Sequence, residues 1–86
     1  MSTYFSRIIK AGDRQREFNF RQVSQDNEVR YHVDVPDDRG IRVYFQMTRT
    51  SDGGWKAATD KLPAWITSTE ELLSTTIQEE LHQLRA

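Results

Sequence analysis

With no cysteine and only two histidines, His32 and His82, the chain has few groups that can attack, ligate or exchange a proton near neutral pH. A zinc site needs three or four ligands. The two histidines lie on separate segments, without the H-x-x-x-H or H-x-E spacing that sets ligands on one face. No metal or cofactor is therefore expected. Asp34, Asp37 and Asp38 offer oxygen, but an EF-hand loop alternates its ligands over about twelve residues and ends on glutamate. The run Asp34-Val35-Pro36-Asp37-Asp38-Arg39-Gly40 has neither that length nor that register, and it reads as a turn. A nucleophile would have to be Ser, Thr or Lys, with a histidine or carboxylate as its base. No G-x-S-x-G elbow, glycine-rich phosphate loop or paired-carboxylate motif occurs. The chain is not expected to be an enzyme.

Binding chemistry is richer. Strand alternation turns Asn19, Arg21, Arg30, His32, Asp34, Arg42, Tyr44, Gln46, Thr48 and Lys56 to one side. Of these, Arg30, His32, Arg42, Tyr44 and Lys56 form the candidate binding face. A base could stack on Tyr44 while the cations hold phosphates. A solvated sheet face would carry the same residue types, and Asp34 offsets one cation. The formal charge of −1 and pI of about 6.1 favour the solvated face, because nucleic-acid-binding domains are usually basic.

These residues need a sheet to hold them. Residues 29–35 alternate strictly, with Val29, Tyr31, Val33 and Val35 on one face. Residues 36–40 break the pattern, and 41–48 resume it with Ile41, Val43, Phe45 and Met47 together. This is a β-hairpin. Upstream, 16–23 reads as a strand with Phe18 and Phe20 inward, ending in the polar turn Ser24-Gln25-Asp26-Asn27. Residues 4–10 are read as a first strand, although Tyr4/Ile8 and Phe5/Ile9 also fit a helical face. After the turn at Ser51-Asp52-Gly53-Gly54, Trp55-Lys56-Ala57-Ala58-Thr59 is the next strand. A three-residue loop would set Ser51 opposite Trp55 and Met47 opposite Thr59, with the indole inward, whereas a two-residue loop would turn it outward. The inward placement is expected.

Leu62-Pro63-Ala64-Trp65-Ile66 reads as a connector, since proline biases Leu62 away from helix. Ser68 and Glu71 make an S-x-x-E capping box for a helix over 68–84, whose apolar stripe is Leu73, Ile77, Leu81 and Leu84. His82 suits the last turn as a cation-capable group near the negative end of the dipole. Trp65 and Trp55 are read as core, with a partly exposed indole gripping a partner as the other possibility.

Eighty-six residues make a single domain, 1–86. Only about 37% are apolar, counting glycine and leaving out tyrosine, against roughly 45–50% in ordinary domains. A lean core with sheet edges to protect suggests self-association. The N-terminus shows no apolar leader and no run nears the ~20 residues of a membrane span, so no membrane partner is expected. A small domain without disulfides fits a reducing compartment, and the expected location is cytoplasmic. The opening segments, Tyr4-Phe5-Ser6-Arg7-Ile8-Ile9-Lys10-Ala11-Gly12 and then Glu17-Phe18-Asn19-Phe20-Arg21, are similar to the first hairpin of PUR-type single-stranded nucleic-acid-binding repeats. The order of several strands and one helix is similar too, and that resemblance implies nucleic-acid binding. Trp55, the 62–66 connector and the acidic helix depart from it.

The expected fold is thus α+β, an antiparallel four- to five-stranded meander with one C-terminal helix packed on one face. The expected role is a non-catalytic interaction module with a protein partner or a second copy of itself, and single-stranded nucleic acid is the alternative ligand.

Overall fold

The computed structural model describes residues 4–25, 28–58 and 61–85, and of 25 and 82–85 the backbone alone. Expectations that rest on the Asp26-Asn27 turn, on Thr59 and on the His82 and Leu84 side chains lie outside the described residues.

Alternation between apolar and polar residues sets out the strands. They are β1 (Tyr4–Ala11), β2 (Arg14–Gln25), β3 (Glu28–Pro36), β4 (Arg42–Arg49) and β5 (Trp55–Ala57). They form one five-stranded antiparallel sheet in the order β1-β2-β3-β4-β5, so each strand lies beside its neighbour in sequence. The sheet is curled into a half-barrel, and a C-terminal helix follows it. The class is α+β, and residues 4–10 are strand rather than helix.

The turns explain the registers. Ala11 pairs with Arg14 across Gly12-Asp13, and Gly12 takes φ +75°. A positive φ at the first central residue alone is the type II′ pattern, which suits strand twist. In the next-but-one turn the Asp37 carboxylate accepts from the N–H groups of Arg39 at 2.8 Å and Ile41 at 2.9 Å. This side-chain imitation of a backbone turn holds Ile41 outside β4, where it is 59% exposed and not in the core as expected. Val29 shares the inward parity, but it stands at the strand's end and is 36% exposed.

Trp55 points inward, 5% exposed, but not by the expected loop. It lies opposite Arg49, and Met47 lies opposite Ala57. The loop therefore runs over 50–54, closed by Thr50 N–H donating to the Gly54 carbonyl at 2.8 Å. A three-residue and a five-residue loop differ by one full pleat, so the side chain keeps its face while its partner changes.

The helical region starts earlier than its capping signals imply. Pro63, extended at ψ 148°, precedes a short helix α1 (Ala64–Thr67), and α2 (Glu70–Arg85) follows. Proline restrains its own φ and the residue before it, not the residues after it, so Trp65 and Ile66 are free to be helical. Ser68 is itself helical (φ −71°, ψ −14°) and ends α1 instead of capping α2. The expected capping box does not form. The Thr69 hydroxyl donates to the Trp65 carbonyl at 2.7 Å, and the Leu73 N–H donates to the Thr69 carbonyl at 3.0 Å.

Burial gathers Phe18, Phe20, Tyr31, Val33, Val35 and Met47 with Ile66, Leu73 and Ile77 in one apolar cluster, each at most 1% exposed. Fully burying one such aliphatic or Phe side chain is worth about 1.5–3 kcal/mol. A line of aromatic contacts crosses the sheet. Phe5 stacks on Phe20 at 4.6 Å and meets Tyr31 edge-on at 6.0 Å, and Tyr31 meets Trp55 edge-on at 5.1 Å. Trp65, read as core, is only partly buried.

Candidate binding surface

The ladder registers fix what stands beside what on the outer face. One row across the sheet reads Tyr4, Arg21, His32, Gln46. The next reads Ser6, Asn19, Asp34, Tyr44, and another reads Val23, Arg30, Thr48, Lys56. All five candidate residues, Arg30, His32, Arg42, Tyr44 and Lys56, lie on this face, as strand parity requires. They do not share one site.

Arg42 Nη1 is bound to Asp34 Oδ1 at 2.7 Å, and Arg30 Nη2 to Glu28 Oε2 at 3.1 Å. Each cation is thereby offset by its own carboxylate. Arg30 borders a depression at the Glu28–Arg49 end of the sheet. Lys56 borders a different one, beside Asp52, Glu70 and Glu71. There the Asp52 carboxyl is held below its ordinary range, first by the Thr50 hydroxyl and then by the Gly54 N–H.

His32 and Tyr44 do meet, in a depression of about 380 Å³ that they share with Tyr4, Arg21 and Gln46. Tyr4 is 63% and Tyr44 71% exposed. Among the described residues Arg21 makes no ion pair and His32 no hydrogen bond to a side chain. Two open phenol rings flanking a free guanidinium can hold planar groups by stacking and an anion between them. Tyr4 and Arg21 are absent from the candidate set read from sequence. The signal for them is the Gly12-Asp13 turn, which fixes β1 against β2 and brings Tyr4 level with Arg21 and His32.

Beside this depression, along the next row of the same face, runs a hydrogen-bonded chain. Ser6 Oγ donates to Asn19 Oδ1 at 2.6 Å, and Asn19 Nδ2 donates to Asp34 Oδ1 at 3.0 Å, the oxygen that also accepts from Arg42. Asn19 is 8% exposed although it belongs to the outer face. Satisfied polar chains of this kind stiffen the surface that carries them. Among the described residues no three His, Cys, Asp or Glu side chains come together as a metal site would need. Nor is any helix among them long and apolar enough to cross a membrane.

Another exposed apolar feature is an edge. Among the described residues β1 pairs on one side only, with β2, along its whole eight-residue length. Ile8, on the outer face of that strand, is 66% exposed. The opposite edge strand, β5, has three residues.

No family model, curated protein or solved structure matches the chain. The likeness to PUR-type repeats thus has no support beyond the residues that suggested it.

Proposed function

We propose that this chain is a non-catalytic binding module that works in self-association. The observation that carries this reading is the open edge of β1, with Tyr4 and Ile8 exposed along it. An apolar, unpaired strand of this length is a template for another chain. In this reading α2 covers the inner face as a second layer, helped by the Arg7–Glu80 ion pair at 2.9 Å. The outer face and the β1 edge are left for partners. A chain without cysteine suits the reducing cytoplasm.

Sedimentation equilibrium over a range of concentrations tests the proposal. Wild-type protein is expected to associate as concentration rises, and Ile8→Lys, a surface change, to stay monomeric. A wild-type monomer at every concentration would end it.

The Tyr4–Arg21–His32–Tyr44 depression favours a second reading, single-stranded nucleic acid with bases on the tyrosines and phosphate on Arg21. Each stacked base contributes about 1–3 kcal/mol, so Tyr44→Ala should weaken oligonucleotide binding by roughly 5- to 150-fold. A titration at low salt that shows no binding by the wild type would remove this reading.

A further inference from the structure

The free edge also dictates how a second copy would fit. In a two-residue hairpin the residues that flank the turn exchange both hydrogen bonds, and bonding then alternates along the ladder. With Ala11 opposite Arg14, the backbone groups of Phe5, Arg7, Ile9 and Ala11 face β2. Those of Tyr4, Ser6, Ile8 and Lys10 face the open edge. A second β1 must meet the first through these four residues, which are also the ones whose side chains stand on the outer face.

Two-fold antiparallel pairing then leaves three central registers, with the axis at Ser6, Arg7 or Ile8. An axis at Arg7 sets two arginines, each paired to its own Glu80, directly opposite at the narrow, non-hydrogen-bonded spacing of about 4.5 Å, and it puts Tyr4 opposite Lys10 and Ile8 opposite Ser6, so no apolar side chain covers another. An axis at Ile8 pairs the two Ile8 residues but leaves Tyr4 beyond the paired stretch, level with the Gly12 turn of the second copy. An axis at Ser6 sets Tyr4 opposite Ile8 of the second copy, twice, and so covers the exposed apolar side chains of both edges. It also places each Arg7 opposite a Phe5 and away from the other Arg7.

We propose that two copies join antiparallel along β1 with Ser6 opposite Ser6, giving one continuous sheet whose two outer faces lie on the same side. Ile8 of the second copy then stands against Tyr4 and forms part of the wall of the Tyr4–Tyr44 depression. Each depression is completed by the other chain. This inference rests on the self-association proposed above.

The absence of cysteine makes the test direct. Single variants Ser6→Cys, Arg7→Cys and Ile8→Cys are oxidised mildly at a concentration where the protein associates. A disulfide forms only when the Cα atoms lie within about 4.4–6.8 Å, a condition that in each register only the residue on the axis meets against its own copy. Ser6→Cys is expected to give a covalent dimer, and the other two are expected to give none. Cross-linking at Arg7→Cys or Ile8→Cys in place of Ser6→Cys would overturn the register. A wild type that associates in sedimentation, with no cross-link at any of the three, would overturn the β1 interface while leaving self-association intact. A monomeric wild type would overturn both.

Discussion

Arg16 is the residue that most departs from what its type suggests. It points to the inner face and is 6% exposed. Its Nε–H donates to the Ala11 carbonyl at 3.0 Å, its Nη1 meets Asp38 at 2.8 Å, and its guanidinium lies 3.9 Å over the Trp65 ring. A flat, forked cation can satisfy a carbonyl, a carboxylate and an indole face together, and an ammonium cannot. Arg16→Lys is therefore expected to cost about 1.5–3 kcal/mol, read as a lower urea midpoint with unchanged slope. An unchanged midpoint would refute this account. Alternation along β2 was enough to place Phe18 and Phe20 inward. It could not reveal Arg16, because the ring that shelters the guanidinium comes from the far end of the chain. Asn19 shows the reverse case. Its outward parity was legible, but its burial depends on Ser6 and Asp34 closing over it, and sequence shows neither.

At the scale of elements, strands were more legible than the joints between them. Tyr31, Val33 and Val35 alternate against polar neighbours, and that pattern has only one strand reading. Trp55 takes the expected face across a loop of another length, because face depends on whether the loop length is odd and partner identity depends on the length itself. The helix start departs from its local signals for a related reason. Ser68 and Glu71 satisfy a local rule, but the chain was already helical from Ala64. One contact between β5 and α2 is announced by no pattern: the buried Trp55 N–H donates to Ser74 Oγ at 2.9 Å, and Gln78 Nε2, one turn on, donates to the same oxygen at 3.1 Å. Ser74→Ala strands that amide and should cost about 1–3 kcal/mol. Hydrogen exchange at the Trp55 amide should quicken accordingly, and an unaltered rate would show that the bond does not hold β5 to the helix.

Over the whole molecule, the line from Phe5 to Trp55 puts Tyr31 at the centre of the core, wholly buried. Burial first, and then the Glu80 charge, push the Tyr31 hydroxyl above its ordinary value. The folded state thus holds this proton more tightly than the unfolded chain. The associated stability is complete below the unfolded value of about 10 and is lost as pH rises through the folded one. Urea unfolding across alkaline pH should show stability declining above that point for the wild type and declining less for Tyr31→Phe. Equal declines would place the alkaline sensitivity elsewhere.

The strand order carries a kinetic consequence. Every ladder closes between neighbours in sequence, across short turns, so little chain entropy is lost before each hairpin is rewarded. The sheet can zip up in the order of synthesis, beginning with β1 and β2. The edge of β1 is thus exposed from the first hairpin onward, while α2 and the rest of the core are still to come. Under the β1 pairing proposed above, copies emerging close together on a polysome would meet at that edge before either chain has finished folding.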